Sequence, residues 1–318
     1  MRPVKNFVQI LLAYKVAAGP ILQIGLPTAA RNLSLNGVSY DTNPPPPGGP
    51  DDFKIMVGRP TAALNRESSL MYVAKVLMDE SLQDFHGSFE DATRVFRDGI
   101  YPNLAVKATI LESGHSRPRR YFFWGMARII SFMVDRGQFF ERDFLLVWRD
   151  AHVGRITWTL VDIPRELMIG HDARTLAQTA TNQTKATSDS ASGENALTWR
   201  YSPYGELMTI TDIAMGTIAS LIQAAQLPGQ NFESFVGYWP QSNYQATQSW
   251  GSEARPSQLS KYVLVRSMFA SLTYAHVSRN FHELFVEVGF DYQQVFAKGG
   301  YTRPGAPVAG NRLNVTIS

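Results

Sequence analysis

Cysteine is absent from the 318-residue chain. That excludes a disulfide scaffold, a thiol nucleophile and any zinc site built on thiolates. An excess of one charge is lacking too, since 30 basic residues face 27 acidic ones for a net charge of +3. Even with a pI near 9.0, so weak a field nominates neither a nucleic acid nor a membrane as partner. The short motifs of catalysis are missing: there is no G-x-S-x-G elbow, no phosphate loop, no G-x-G-x-x-G and no H-E-x-x-H. Each encodes a backbone geometry that is hard to replace, so hydrolase, NTPase, dinucleotide and zincin readings lack a footing, and no cofactor is expected. Histidines are few and scattered: His86, His115, His152, His171, His276 and His282. The nearest pair, His276 and His282, does not share a helix face, so no metal site is expected. The 24 glycines and 18 prolines are ordinary usage, which argues against a collagen-like or wholly disordered chain.

What is present is apolar material: hydrophobic residues make up 44% of the chain and charged ones 18%, enough for a sizeable core in a chain of this length. The first residues carry Arg2 and Lys5, then a mainly apolar run from Phe7 to Leu26 that ends in small residues. This order predicts an export leader over residues 1–30, with Lys15, Gly19 and Pro20 arguing against a membrane-spanning helix. Three glycosylation triplets begin at Asn32, Asn182 and Asn314. They fall after the leader, in a polar stretch and near the C-terminus, where a glycan would meet no core. Together these features predict a secreted chain.

Two stretches read as connectors. Residues 31–63 read as an extended, proline-rich segment; within it Asn43–Asp52, with four consecutive prolines from Pro44 to Pro47, is expected to stay outside any ladder or helix interior. Residues 166–200 are dominated by Thr, Ser, Ala, Gln and Asn and read as a polar linker. Between and after them, residues 64–165 and 201–303 show the same order of elements, followed by a tail over 304–318. In the first, periodicity predicts a helix over Ser69–Asp84 capped by Ser68 or Ser69, a strand over Leu104–Leu111 and a helix over Arg120–Asp135. A hairpin follows, Phe144–Trp148 and Gly154–Val161, turning near Asp150. The second has a helix over Glu206–Gln226, a strand over Phe232–Trp239, a helix over Ser260–His276 and a hairpin of Phe285–Phe290 with Gln294–Tyr301. A shift of 141 superposes the hairpins, with Phe144 on Phe285 and Asp150 on Asp291, while 140 suits the preceding helices better. The expected fold is α+β: two tandem α-β-α-β-β units related by approximate internal two-fold symmetry, packed as one body. Both faces of Phe144–Trp148 are apolar, so that strand is expected to be covered on both sides, with the copies back to back or sharing one sheet.

The run Tyr121-Phe-Phe-Trp-Gly-Met-Ala-Arg-Ile-Ile, then Gly137-Gln-Phe-Phe, Phe144-Leu-Leu-Val-Trp and Val153-Gly154 resembles a block in exported proteins of filamentous fungi. The resemblance implies export, covers about a third of the chain and brings no site residues.

Candidates for chemistry are sparse. Asp150 and Asp291 fall at equivalent turns, where aspartate bonds its own backbone; the alternative is a carboxylate pair lining a cleft. Arg117, Arg119 and Arg120 form one dense basic cluster, read as solvated. Tyr238, Trp239, Asn243, Tyr244 and Trp250 alternate rings with amides, the composition of a platform for sugar rings. The sequence therefore favours an exported, non-enzymatic binding or interaction protein whose extracellular partner is a glycan or a protein. The alternative is an extracellular enzyme of hydrolase type with its site in the cleft between the two units.

Overall fold

The computed structural model describes residues 47–111, 116–161, 197–229, 231–239, 246–254, 256–290 and 294–303. The leader, the three glycosylation triplets, most of the polar linker, the C-terminal tail, His171 and Asp291 lie outside them. The described residues belong to one compact unit.

The first half runs β1 (Phe53–Val57), α1 (Arg66–Ser81), β2 (Thr93–Arg97), β3 (Leu104–Ile110), α2 (Arg119–Asp135), β4 (Arg142–Trp148) and β5 (Ala151–Leu160). The second runs β6 (Leu197–Leu207), α3 (Ile210–Ala225), β7 (Ser234–Gly237), β8 (Thr247–Ser252), α4 (Lys261–Ser278), β9 (His282–Phe290) and β10 (Gln294–Thr302). Each half builds a five-stranded antiparallel sheet, in the orders β1-β4-β5-β3-β2 and β6-β9-β10-β8-β7. The second order is the first with each strand replaced by its counterpart. The expected α+β fold with two like units in one body is the one observed, with five strands per unit where the sequence suggested three.

The equivalence extends to single bonds. The Leu64 amide donates to the Phe139 carbonyl at 2.9 Å, and the Met208 amide to the Phe281 carbonyl at 2.8 Å. Phe53 opposes Trp148 at one sheet edge as Leu197 opposes Phe290 at the other. Asn65 and Thr209 then cap the helices that follow. The second pair of helices obeys a shift of 142. Tyr121, Phe122, Phe123, Gly125, Met126, Ile129, Ile130 and Met133 are buried on α2, and the residue 142 positions on from each is buried on α4. The same shift carries buried Phe144 and Leu146 onto buried Val286 and Val288. A shift of 141 would set Phe144 on Phe285, which points away from the helices. Because strand faces alternate, one residue of slip exchanges inside for outside.

Helix α1 begins one turn earlier than its serines suggested. The Asn65 side chain accepts from the Ser68 amide at 2.9 Å and closes the first turn. Helix α3 starts at a capping box, where Thr209 accepts from the Asp212 amide at 3.1 Å and the Asp212 carboxylate answers to the Thr209 amide. The residues before it, including Glu206, are not helical but end β6, which kinks at Gly205 with φ of 62°. Strand β1 forms inside the 31–63 segment, directly after the proline-rich Asn43–Asp52, and β6 begins inside the stretch expected to be a linker.

Helices α1 and α3 pack against each other, α1 also meets α4, and α3 also meets α2. These contacts exchange into one another when the halves are swapped, as a two-fold relation requires. Polar links run across the same boundary. Ser81 Oγ donates to the Leu221 carbonyl at 2.8 Å, and Lys261 Nζ, held within its own half by the Ala225 carbonyl at 2.8 Å, reaches across to the Gln83 carbonyl at 3.4 Å. At the other end of the antiparallel α1–α4 pair, Glu67 takes both His276, at 2.8 Å, and Arg279.

The halves thus meet through helices, not through sheet backs. Phe144 and Leu146 are fully buried against helices, whereas Leu145 and Val147 on the other face are half-buried and stay on the solvent side. Neighbours in register shelter them: Met56 and Arg155 flank Leu145, and Lys54 and His152 flank Val147. No second layer is needed to cover that strand.

Two local features give measurable consequences. A Cβ on Gly216, in mid-helix α3, would sit 2.5 Å from the Ala246 carbonyl oxygen. Gly216→Ala is therefore expected to destabilise the fold by about 1–3 kcal/mol in urea unfolding, against the roughly 1 kcal/mol that alanine gains in a free helix. A raised midpoint would refute this packing. The β4–β5 turn holds Arg149 and Asp150 at φ of 51° and 61°, a conformation suited to Asn-Gly. Asp150→Gly should stabilise by about 0.5–1 kcal/mol, read as an upward shift in melting temperature.

Candidate functional site

The solvent face of the first sheet is built from the outward-pointing residues of all five strands. Lys54 and Met56 come from β1, Asp143, Leu145 and Val147 from β4, and Arg155 and Thr157 from β5. Lys107 and Thr109 come from β3, and Thr93, Val95 and Arg97 from β2. Each alternates with a buried neighbour: Phe53 lies beside Lys54, Val106 and Ala108 flank Lys107, Ile156 follows Arg155, and Phe96 precedes Arg97. Alternation therefore forces the four cations outward, and all four are exposed.

Register decides how they are arranged. Lys54 opposes Val147, and two residues back along β4 Leu145 opposes Arg155, the β4–β5 register slipping by one residue between Leu146 and Val147. Arg155 opposes Thr109, and two residues back along β3 stands Lys107. Lys107 opposes Val95, and two residues on along β2 stands Arg97. Each step crosses the sheet and advances along it in the same sense, so the cations lie on one diagonal from edge strand to edge strand. Strands about 4.8 Å apart with a rise of about 3.3 Å per residue put Arg155, Lys107 and Arg97 at successive spacings of about 8 Å, with Lys54 about 12 Å before Arg155. Thr109 and Thr157 flank this line, and two carboxylates share the face: Asp143 accepts from the Thr157 hydroxyl at 2.5 Å, and Glu141, just before β4, accepts from the Thr159 hydroxyl at 3.2 Å.

None of the four cations has an ion-pair partner among the described residues. The second sheet treats charge differently. There Arg200 meets Glu287 at 2.8 Å, Lys298 meets Glu253 at 3.3 Å and Arg303 meets Glu206 at 2.5 Å. One sheet neutralises itself, and the other presents positive charge to solvent.

The described members of the aromatic tract do not come together as a platform. Trp250 lies on β8 with 2% of its surface exposed, and its Nε1 donates to Gln248 Oε1 at 3.1 Å. Its ring shares the inward face of β8 with Gln248, two residues before it, whose side-chain amide donates to Thr217 on α3 at 2.8 Å. Tyr238 is held through its backbone, its amide and carbonyl both bonded to the Gln223 side chain at 3.0 Å. Trp239 packs half-buried against the core. Asn243 and Tyr244 lie outside the described residues.

The dense arginine cluster is not simply solvated. Arg119 stacks on Phe89 at 5.4 Å and Arg120 over Trp148 and Tyr121, each at 5.5 Å, while Arg117 donates to the Glu90 carbonyl at 3.1 Å. These contacts seal the start of α2 onto β4 and the loop before β2.

The helical boundary between the halves carries the Glu67–His276 pair, the kind of contact that orients an imidazole for proton transfer. Arg279 occupies the same carboxylate oxygen, which makes the group an ion-pair knot joining α1 to α4. Among the described residues no group of three or more histidine, aspartate or glutamate side chains converges. Asp150 occupies the hairpin turn, as turn chemistry predicts.

One buried acid departs from ordinary titration. Glu80 on α1 is 2% exposed and meets Arg94 at 2.8 Å. Burial raises its pKa above the ordinary value of 4.5, with Arg94 and Arg119 opposing. A raised folded-state pKa means a contribution to stability that is complete below 4.5 and is lost as pH rises through the folded-state value. Urea unfolding between pH 4 and 7 should show that decline in the parent chain and a flatter profile in Glu80→Gln. Identical profiles would show that Glu80 titrates normally.

No protein-family model matches this chain, and no curated protein matches it. Among solved structures it is similar to the tandem DUF26 ectodomain of the cysteine-rich receptor-like protein PDLP8 from Arabidopsis thaliana. That likeness has 7% sequence identity and a TM-score of 0.22, over 79% of this chain and 96% of that one. A likeness so distant carries no inference about activity. Among the described residues no helix is long and apolar enough to cross a membrane.

Proposed function

We propose that this chain is an exported, non-enzymatic binding protein and that the solvent face of its first sheet is the contact surface for an anionic partner. The leader-like start and the glycosylation triplets support export. The observation that carries the binding reading is the row of exposed cations, Lys54, Arg155, Lys107 and Arg97, that have no counter-ion among the described residues. Exposed charges of one sign steer an oppositely charged partner and hold it through many weak contacts, with no need for a pocket. Neither the Glu67–His276 knot nor Glu80 offers an equally open group, since each is already engaged by arginine.

The test compares two double variants that remove the same charge from different places. Lys107→Thr with Arg155→Thr empties the middle of the face, while Arg136→Gln with Arg149→Gln removes two exposed cations elsewhere. Affinity for immobilised polygalacturonate and for heparin at low salt should fall about tenfold in the first and less than about twofold in the second. Equal losses, or none in either, would overturn the assignment of this face.

A further inference from the structure

Resting on that reading, we infer that the partner is a single extended acidic polysaccharide chain that lies along the diagonal from Lys54 to Arg97. The four cations form a line and not a cluster. It crosses all five strands, and its ends stand roughly 28 Å apart by strand spacing and rise. A compact anion such as one phosphate could meet at most two of them. A linear polymer can meet all four.

The spacing selects among polymers. Phosphates recur about every 3.4 Å along each strand of a duplex, far closer than cations about 8–12 Å apart on a sheet. A polyuronate or sulfated glycan, charged once per ring or once per two rings, fits the wider interval. The surroundings agree. Thr93, Thr109, Thr157 and Thr159 border the line; Thr93 and Thr109 bond each other at 3.0 Å, and Thr157 and Thr159 donate to Asp143 and Glu141, so these hydroxyls meet a polymer dense in hydroxyls as acceptors. Among the described residues of these five strands no phenylalanine, tyrosine or tryptophan stands on this face to stack a base: Phe53, Phe96, Phe144 and Trp158 all point to the helices. A five-stranded sheet is also too broad to enter a nucleic-acid groove, which admits a helix or a two-stranded ribbon. The hydrophobic stems of Leu145, Val147 and Met56 fill the gap between Lys54 and Arg155, where the apolar face of a sugar ring can rest.

Oligogalacturonates of graded length test the geometry with the unaltered chain. Affinity should rise with length until the oligomer spans roughly the 28 Å line and then level off. The companion variant keeps net charge and moves one end of the line: Arg97→Thr with Thr93→Arg, both positions exposed on β2. It should bind long oligomers several-fold more weakly than the parent and reach its plateau at a shorter length. Parental binding by this variant, or affinity without length dependence, would overturn the diagonal and leave the face itself as a diffuse binding surface. Tighter binding of single-stranded DNA than of oligogalacturonate at equal salt would overturn the choice of polymer. No loss in the Lys107→Thr, Arg155→Thr variant would instead remove the function on which this inference rests.

Discussion

A helix that is apolar around its whole circumference must be enclosed, and α3 is such a helix. Every residue from Ile213 to Ala225 is buried, including Thr217, Ser220 and Gln223, whose polar atoms bond Gln248, the Gly216 carbonyl and Tyr238. Its own sheet can cover one side only. The other side needs a second layer, and α1 of the first half supplies it. Leu70 to Leu77 on α1 are almost as completely enclosed. Neither half can therefore satisfy its central helix alone, and the helix-to-helix contact fixes the two-fold relation between the halves.

That constraint determines which surfaces are free. With the helices inside, the outer face of each sheet is released from packing and needs only to remain soluble. Buried positions keep step across the halves, so that Tyr121 and Val263, or Leu146 and Val288, fill corresponding space. Outer positions follow no such rule. The second sheet spends its charges on one another, Arg200 with Glu287 and Lys298 with Glu253. The outer face of the first sheet carries four basic residues that have no ion-pair partner among the described residues. An exposed ion pair contributes little to stability, about 0–1 kcal/mol, so leaving four cations unpaired costs the fold almost nothing and leaves the surface open to an outside anion.

The helices and the two hairpins were legible in the sequence because their apolar residues recur at helical or alternating spacing over long runs, as in Tyr121–Met133 and Leu284–Val288. Strands β2, β6 and β8 were not. Thr93–Arg97 is short with three charged or hydroxylic residues, Leu197–Leu207 contains Pro203 and Gly205, and Thr247–Ser252 is mainly polar. Each is stabilised by its neighbour in the sheet more than by its own propensity. Strand β1 escaped notice because prolines precede it. The near-duplication was visible, but aromatic matches such as Phe144 with Phe285 favoured a shift of the wrong parity, which only the burial pattern corrects. Trp250 looked exposed because glycine, serine and glutamine surround it; those small residues instead make room for its ring against Gly299.

The cation line was illegible for a different reason. Its members sit at 54, 97, 107 and 155, each an isolated charge in a different strand, and nothing local links them. In Leu104–Ile110 one lysine interrupts an apolar run, and in Thr93–Arg97 the last arginine ends a short strand, both ordinary features of a half-buried sheet. Only the register, Lys107 against Thr157 and Val95, Arg155 against Leu145 and Thr109, turns four separate residues into a line. Registers in turn follow from the hairpin at Arg149–Asp150 and from the order of strands, which the buried faces dictate. The surface is thus a consequence of the core. Phe53, Phe96, Val106 and Ile156 must point inward, their neighbours Lys54, Arg97, Lys107 and Arg155 must then point outward, and the direction of the diagonal is set once the inward residues have found their partners.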